Sequence, residues 1–509
     1  MDVDLKACAQ ELVRNLDCRL GPSAYDIAWM ARLPVNGGGG PRWPELIDWL
    51  IENQWLDGSW GGQIRYYHDR ILCTLAAVIA LRQWGDGSSI EQATKAGVQY
   101  IWKNLQFLHH DPIELVGFEL IVPTLMAEAR KLGLEVPSHS GGYARIRSEK
   151  LRLVPRSAFY TPGTPTAFSL EFLGESTDPR HQNDIHLLLG TNGAIANSPA
   201  ATSYYLHQIG IENQDALNYL ENVKALPENV PAFHPWRIFE LAWVLEHLAF
   251  SGVQLKEFAN DEIFDELEKA LEPNGIGIDT TFGINDGDTT SVVLHVLMLA
   301  GQSVDSSILR FYEEKETRTF RTLAFERNAS VGTNVHALEA LTLMDNYPNR
   351  KEVWDRVVAA LMAEQKYRSY WVDKWHASPF YATCHVLIAL IDAGDLGTRL
   401  ITECIHSIDW LLHTQREDGS WGYFDRGTME ETAYALLALL HYHRKIAPVN
   451  SRIMQQAASY LYQNFTVTTS PQYPSLWIAK SLYRPESFIE SAILAALTLY
   501  QDIFGRIPD

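Results

Sequence analysis

The feature that most restricts the fold of this chain is a motif that occurs twice. Residues 49–61 and 410–422 both follow the frame WLxxxQxxDGSWG. Each copy is typical of a helix that ends in a tight glycine turn, where the Gln amide satisfies backbone groups left open at the helix end and the last Trp covers the turn. The duplication therefore predicts two related helical domains.

Helical periodicity dominates the rest of the chain, as in residues 43–52, 239–248 and 431–440. Alternating strand patterns are scarce, and turns rich in Gly, Pro, Asn and Asp separate the helical blocks. At 509 residues the chain is longer than one hydrophobic core usually supports. We predict an all-α protein, built from helical hairpins stacked into α/α-barrels.

The charge balance and the cysteines limit the partners and the compartment. The 42 basic and 62 acidic residues give a formal net charge of −20, which argues against nucleic acid or an anionic membrane surface as the main partner. The five cysteines have no CxxC or Cys/His spacing, so we expect a reducing compartment and no structural zinc. Residues 1–6 do not resemble a signal peptide, and apolar stretches such as residues 71–81 are too short for a transmembrane segment. We therefore expect a cytoplasmic protein.

Two carboxylates one residue apart, Asp286 and Asp288, precede two threonines and the apolar run 291–299. An Asp held at the edge of an apolar cavity, beside a second carboxylate, has a raised pKa and stays protonated near neutral pH. Such a proton can attack an alkene. The alternative interpretation is a short acidic turn that caps a helix, since Asp and Thr are common at helix starts.

Three motifs together resemble those of the class II terpene cyclases, which protonate an isoprenoid alkene. They are the QxxDGSW turns, the DxDTT element at residues 286–290 and the SAYDIAW segment at residues 23–29. Further strings at residues 116–129, 333–336 and 373–376 are similar to those of the bacterial halimadienyl and kolavenyl diphosphate synthases. The resemblance implies two α-barrel domains, called β and γ.

The resemblance also implies the order of these domains along the chain. Residues 1–45 are predicted to hold the first helices of the β domain, and residues 46–250 an inserted γ domain. Residues 251–509 are predicted to complete the β domain and to carry the DxDTT motif.

By the same resemblance, Asp288 is the general acid that protonates the terminal double bond of geranylgeranyl diphosphate, and Asp286 orients it. Ring closure then gives a bicyclic diterpenyl diphosphate of halimadienyl, kolavenyl or labdane type. The chain has no Asp-Asp pair, and so no DDxxD motif for ionising the diphosphate; the product is expected to keep its diphosphate. Thr289 stands where the commoner DxDD form has an Asp, and we count it among the substrate-binding residues.

Glu114 and Glu119 form an ExxxxE arrangement that resembles the magnesium motif of bacterial diterpene cyclases. Two carboxylate oxygens together with substrate phosphate suit Mg²⁺, which seldom needs a full protein cage. We predict a Mg²⁺ site here. The alternative interpretation is a solvated helix start.

Diphosphate needs cations, because charge-assisted contacts hold phosphate best. We expect Lys374, Lys480 and either Arg70 or Arg65 to supply them and Trp375 to line the cavity. The alternatives are ordinary surface or capping roles for the cations and ordinary packing for the indole.

Asn334 and His336 lie where family members vary the base or water-binding group that ends the reaction. We predict that role for both residues. A histidine on a helix face is more often a satisfied core residue, which is the alternative.

Three other functions are alternatives at this point. A drimenyl diphosphate synthase, which shares the DxDTT variant, would act on farnesyl diphosphate. A squalene-hopene-like cyclase would be attached to a membrane and carry more QxxDGSW copies, and a non-catalytic α-barrel binding module would need no acid. The resemblance further implies a downstream class I terpene synthase or phosphatase, and it leaves a homodimer open.

Overall fold

The structure, which is a computed structural model, consists mainly of helices. It describes residues 3–35, 38–85, 87–138, 142–176, 179–209, 213–227, 229–314, 319–394, 400, 404–467 and 473–507. Within these ranges the strands form two short antiparallel pairs, Glu313–Glu314 with Thr319–Phe320 and Trp477–Ile478 with Leu482–Tyr483. The prediction of an all-α protein is confirmed.

The buried apolar side chains form two clusters, and the chain passes from one to the other and back. One cluster draws on residues 5–20 and 232–507, and the other mainly on residues 24–230. The chain thus passes from one core to the other near residues 20–24 and 230–232. The sequence analysis placed these boundaries at residues 45 and 250. The two helices concerned are almost entirely buried, so their apolar pattern does not indicate which core they join.

The helices divide between these two cores. The described helices of the β domain, including one short 3-10 turn, are Leu5–Arg14, Arg237–Ala249, Leu255–Glu257, Asp261–Ala270, Gly287–Leu299, Ser306–Arg310, Val331–Leu343, Arg350–Ala363, Pro379–Asp392, Ile405–Thr414, Met429–Lys445, Ser451–Val467 and Glu486–Phe504. Those of the γ domain, including four 3-10 helices, are Ala24–Ala31, Pro44–Glu52, Tyr67–Trp84, Ser88–Asn104, Leu105–His110, Phe118–Lys131, Tyr143–Leu153, Arg156–Tyr160, Pro165–Leu173, Pro179–Asp184, Ile185–Leu188, Pro199–Ile209 and Gln214–Lys224.

Helix contacts close each domain into a barrel. In the β domain, six helices contact one another in sequence and the last contacts the first; we call them the inner ring: Arg237–Ala249, Gly287–Leu299, Val331–Leu343, Pro379–Asp392, Met429–Lys445 and Glu486–Phe504. The γ domain has a smaller ring: Ala24–Ala31, Tyr67–Trp84, Phe118–Lys131, Pro165–Leu173 and Pro199–Ile209. The prediction of two helical barrels is confirmed.

The two QxxDGSW turns have the predicted structure. In each copy the Gln amide donates to the glycine carbonyl of its own turn, at 2.8 Å for Gln54 and 3.0 Å for Gln415, and to a carbonyl of a following helix. The indoles of Trp60 and Trp421 each donate to the carbonyl oxygen ten residues earlier. Each turn therefore seals one helix against the next.

A third turn of the same build lacks the sequence motif. The indole of Trp371 donates to the carbonyl of Leu361, ten residues earlier (2.6 Å), and its backbone N–H donates to the hydroxyl of Thr383 (2.9 Å). Tyr367 and Arg368 adopt left-handed φ values of 50° and 58° in this turn, whereas the left-handed residue of the motif turns is the glycine, Gly58 (φ 90°) or Gly419 (φ 87°). The sequence concealed this copy because only the Gln and the Trp of the QxxDGSW residues are retained.

One helix, Glu486–Phe504, is long and apolar enough to cross a membrane by length and composition alone. Of its apolar window, 67% is buried inside the protein, and the helix belongs to the inner ring. These are the properties of a core helix in a barrel.

Candidate active site

Asp286 caps an inner-ring helix, Gly287–Leu299, which we call the acid helix. The backbone of Asp286 is extended (φ −134°, ψ 152°). Its carboxylate accepts hydrogen bonds from the backbone N–H (2.7 Å) and the hydroxyl (3.0 Å) of Thr289. Asp286 is therefore an N-cap, as in the alternative interpretation of the motif. Thr289, predicted to bind substrate, instead uses its hydroxyl to hold this carboxylate in place.

Asp288 lies in the first turn of the acid helix and bonds to a different element. Its Oδ1 is 2.7 Å from Nδ1 of His336, which lies on the neighbouring inner-ring helix Val331–Leu343, called the histidine helix below. The His336 side chain is 1% exposed, whereas the Asp288 side chain keeps 12%. His336 thus holds the carboxyl from its buried side and leaves the other side accessible.

Burial and neighbouring charges set the protonation of these groups. Burial raises the pKa of Asp286 to about 7, and the charge of Asp288 adds to this effect. Burial acts to lower the pKa of His336, but the charge of Asp288 and the hydrogen bond to it outweigh burial, so the His336 pKa is raised. Near neutral pH the site therefore retains protons that a general acid needs.

Aromatic rings surround the His336 side of the site. Trp243 meets His336 edge-on, with ring centroids 5.3 Å apart, and the Tyr381 hydroxyl is 3.4 Å from His336 Nε2. From there, rings in mutual contact continue toward the γ domain: Phe239, Phe488, Trp477, Tyr483, Phe233 and Phe168. Such rings stabilise a carbocation through their faces, by about 0.5–2 kcal/mol each.

Asn334, predicted to help end the reaction, lies on the histidine helix, and its side chain forms hydrogen bonds with the surrounding backbone. Its amide group donates to the carbonyl oxygens of Phe320 (3.0 Å) and Ser330 (2.8 Å), and its side-chain oxygen accepts from the Phe320 N–H (2.8 Å). Asn334 therefore fastens the preceding segment to the histidine helix. His336, predicted for the same role, is instead the partner of Asp288.

A second group of charges lies where the γ domain meets the loop before the histidine helix. Arg327 donates to Glu114 at 2.8 Å, and Lys374 donates to Glu326 and to the carbonyl of Asn328 (3.1 Å). The predicted residues Glu114 and Lys374 therefore belong to one group, although they lie in different domains.

Glu119 and Lys150 complete this group, which we call the charged cluster: Glu114, Glu119, Lys150, Glu326, Arg327 and Lys374. Burial raises the pKa of Glu119, against the opposing charges of Lys150 and Arg327. Burial lowers the pKa of Lys150, which feels the charges of Glu119 and Lys374. The cluster therefore combines three carboxylates and three cations in a partly buried setting, which suits a complex of Mg²⁺ with diphosphate.

Trp375, predicted to line the cavity, lies at the edge of the charged cluster. The Lys374 ammonium is 5.0 Å from the centre of its ring, and its buried indole N–H has no hydrogen-bond partner among the described residues. Two hydrogen bonds link this region to the acid helix: Gly287 N–H donates to the Thr322 carbonyl (2.8 Å), and Thr322 N–H donates to Glu326 (2.9 Å).

Two of the predicted diphosphate ligands lie elsewhere. The buried ammonium of Lys480 donates to Glu171 (2.8 Å) and to the Ser198 hydroxyl (2.6 Å), so it joins the domains from the tip of a β-domain hairpin. The Arg70 guanidinium donates to Ser59 at 2.7 Å inside the first QxxDGSW turn. Both cations therefore bond within the protein, away from Glu114 and Lys374, and their role in diphosphate binding stays a prediction.

Sequence reasoning did not find Lys150, Glu326 and Arg327, because none of them belongs to a motif and the fold alone brings them to Glu114.

Comparison with known proteins gives concordant results. Residues 323–468 match the squalene-hopene cyclase C-terminal domain. The chain is 34% identical over 507 residues to a type B diterpene cyclase of Mycobacterium tuberculosis, covering 95% of this chain and 96% of that protein. It is 29% identical to (+)-kolavenyl diphosphate synthase of Herpetosiphon aurantiacus, covering 97% and 96% respectively. The solved structure of ent-copalyl diphosphate synthase from Streptomyces platensis aligns with a TM-score of 0.78 at 27% identity, over 98% of this chain and 100% of that one.

Proposed function

This chain belongs to the class II diterpene cyclase family, and we propose that it converts geranylgeranyl diphosphate into a bicyclic diterpenyl diphosphate. The observation that carries the proposal is the Asp288 carboxyl, held by His336 at 2.7 Å on one side and partly exposed on the other. The reaction is an intramolecular isomerisation, in which a proton is added at one end of the chain and another is lost at the end.

Asp288 gives its proton to the terminal double bond, whose electron pair forms the new C–H bond. The carboxyl becomes a carboxylate, and the His336 imidazolium stabilises this charge through the existing hydrogen bond. The next two double bonds attack the cation in turn and close two rings, while the rings of Trp243 and Tyr381 lie close to His336. Loss of a proton, directly or after hydride and methyl shifts, ends the reaction.

We place the diphosphate at the charged cluster. Lys150, Arg327 and Lys374 would hold the phosphate oxygens, since charge-assisted contacts are the strong ones for phosphate. Glu114 and Glu119 would hold Mg²⁺, whose chemistry there is to neutralise part of the diphosphate charge. This arrangement fixes one end of the substrate at the domain interface and leaves its hydrocarbon chain for the aromatic region.

The product skeleton follows from where the cation is quenched, and halimadienyl, kolavenyl and labdane diphosphates all agree with the chemistry above. A second candidate is drimenyl diphosphate formation from farnesyl diphosphate, which needs the same acid and the same cluster. A binding module without catalysis would need neither the proton that Asp288 gives nor the proton that the cation loses.

The test is to incubate the purified protein and its Asp288→Asn variant with geranylgeranyl or farnesyl diphosphate and Mg²⁺, and then to identify the dephosphorylated alcohols by gas chromatography and mass spectrometry. We expect a bicyclic C20 alcohol from the wild type alone. Asp305→Asn, which changes an exposed cap of the next helix, is the matched control and should keep activity. A C15 bicycle would assign the drimenyl reaction, and linear alcohols from every sample would refute both.

We further propose that the enzyme works in the cytoplasm, ahead of a class I terpene synthase or phosphatase that removes the diphosphate. The retained diphosphate is the leaving group that such an enzyme needs. The sequence left a homodimer open, and light scattering after size-exclusion chromatography would test for it.

A further inference from the structure

The last step of the proposed reaction needs a group that takes a proton from the final cation. The two residues predicted to end the reaction have other partners in the structure. The Asn334 amide donates to backbone carbonyls, and the His336 ring bonds to Asp288. A base for the last step therefore has to come from another part of the aromatic region.

Glu430 brings a carboxyl group to the edge of the aromatic region. Its Oε1 accepts hydrogen bonds from the Trp477 indole N–H (2.7 Å) and the Tyr434 hydroxyl (3.4 Å), and it is 3.2 Å from His376 Nε2. Its Oε2 is buried and has no hydrogen-bond partner among the described residues. The protein therefore fixes one oxygen of this carboxyl group and leaves the other open for a proton.

The surroundings of Glu430 favour the ionised form of its side chain. The Trp477 indole can only donate, and donors that converge on a carboxyl oxygen stabilise the carboxylate. Glu430 also lies in the first turn of the helix Met429–Lys445, where the positive end of the helix dipole stabilises a negative charge. A buried carboxylate oxygen without a partner costs free energy, and a cation that forms beside it offsets this cost.

The neighbouring carboxyl group, that of Glu431, is arranged differently. It is also buried, but both of its oxygens have partners. Oε1 accepts from the Ser378 hydroxyl (2.5 Å) and the Tyr423 N–H (2.8 Å), and Oε2 accepts from the Thr428 hydroxyl (2.8 Å). Of these two adjacent carboxyl groups, only that of Glu430 therefore has an oxygen without a partner among the described residues.

Glu430 and Asp288 lie on either side of the same aromatic rings. Each is the second residue of an inner-ring helix. The Tyr483 ring contacts that of Trp477, with centroids 6.2 Å apart. Burial raises the pKa of Tyr483 well above its ordinary value, and the charges of Asp288 and Glu430 both add to this effect. A ring near Trp477 therefore lies within reach of both carboxyl groups.

We propose that Glu430 is the base that ends the reaction, and that its Oε2 takes the proton from a carbon next to the final cationic centre. The electron pair of that C–H bond becomes the second bond of the new alkene, and the carboxylate becomes a carboxyl group. The proton passes to solvent when the diphosphate product leaves, so that one proton is gained from Asp288 and one is lost through Glu430. The fixed negative charge also stabilises positive charge on its side of the substrate. Glu430 thereby determines which alkene isomer forms.

The proposal rests on the proposed function, and the identity of the products separates the two. Glu430→Gln keeps an oxygen for the Trp477 indole but cannot take the proton. With geranylgeranyl diphosphate and Mg²⁺, this variant should still consume substrate, while the share of the wild-type alkene among its bicyclic products falls at least about tenfold. Isomeric alkenes, and diols formed after the cation captures water, should replace it. Gas chromatography and mass spectrometry of the dephosphorylated products measures these shares.

Glu431→Gln is the matched control and should leave the product composition unchanged. Should Glu430→Gln not fold or not cyclise its substrate, Glu430→Asp tests the same role. It withdraws the carboxylate by one methylene group and should shift the ratio of alkene isomers. Wild-type product composition from Glu430→Gln, at whatever rate, would overturn the proposal, and so would a wild-type isomer ratio from Glu430→Asp. Linear alcohols from the wild type would instead refute the proposed function.

Discussion

Asp288 and His336 lie on neighbouring helices of the inner ring and share one hydrogen bond of 2.7 Å, while Asp286, two residues away, bonds to Thr289. The two aspartates therefore differ in role although they share one motif. Asp286 caps the acid helix and places a carboxyl beside Asp288. Asp288 has the His336 imidazole behind it, whose pKa is raised, and an accessible side in front, as a general acid requires.

His336→Gln should lower kcat about 10–100-fold with little change in KM, because a hydrogen bond to a charged group contributes about 1.5–3 kcal/mol. Steady-state kinetics at neutral pH measures this. The control is His441→Gln, which breaks another buried histidine contact in the same domain, 3.0 Å from Asp392. A rise in KM alone would assign His336 to substrate binding.

The rate of cyclisation should fall as the pH rises through about 7. Burial, then the charge of Asp288, raises the pKa of Asp286 to about 7, so above this pH Asp286 loses the proton that it holds beside the proposed acid. The raised pKa of His336 places loss of its imidazolium on the same alkaline side. A pH profile of kcat/KM checks the sign, and a rate that rises steadily into the alkaline range would contradict it.

The free energy of unfolding should also depend on pH, through the titration of Asp286. A carboxyl whose folded pKa is raised from 3.8 to about 7 favours folding most below the lower value, and this contribution is lost as the pH rises through the upper one. Asp286→Asn should remove that dependence from the thermal midpoint while keeping the cap. Asp286→Ala should lose the cap too, at about 1 kcal/mol, and both variants should lose activity.

Substitution of Lys480, at the domain interface, should mainly affect stability, whereas substitution of Arg327, in the charged cluster, should mainly affect substrate binding. Lys480→Met leaves the buried Glu171 with the Tyr25 hydroxyl but without a cation, and it should destabilise the fold by about 3–5 kcal/mol, with KM unchanged in the protein that remains folded. Arg327→Ala should raise KM for the diphosphate and leave the thermal midpoint nearly unaltered, since Arg327 is part-exposed. The reverse pattern would return Lys480 to its predicted role.

Trp371→Phe should destabilise the protein as much as Trp421→Phe, by about 1 kcal/mol each, because both remove one buried indole hydrogen bond to a helix carbonyl. Urea unfolding compares the two. Trp102→Phe, at a residue that is 56% exposed, is the control and should have little effect. A clear difference between the first two variants would mean that the third turn is not equivalent.

The sequence predicted the features that depend on neighbours along the chain. The Gln and Trp turns, the helical periodicity and the aspartate pair are local patterns, and each is found in the structure. The third turn was not predicted, because it keeps only Gln365 and Trp371 of the motif. The boundaries near residues 20–24 and 230–232 were also not predicted, because helices buried all round carry no stripe that indicates their core.

Local patterns in the chain thus predicted an all-helical fold of two barrels and the aspartate pair that includes the proposed acid. Three sets of contacts depend on the tertiary structure. His336 faces Asp288, and Lys150 and Arg327 lie close to Glu114 and Glu119. Lys480 bonds to Glu171 across the domain interface. The physical reason is that these pairs lie far apart along the chain, and a cation or a histidine has the same local pattern whether it meets a substrate or a buried carboxylate. Only the packing of the helices around the barrel specifies which charge stands opposite which.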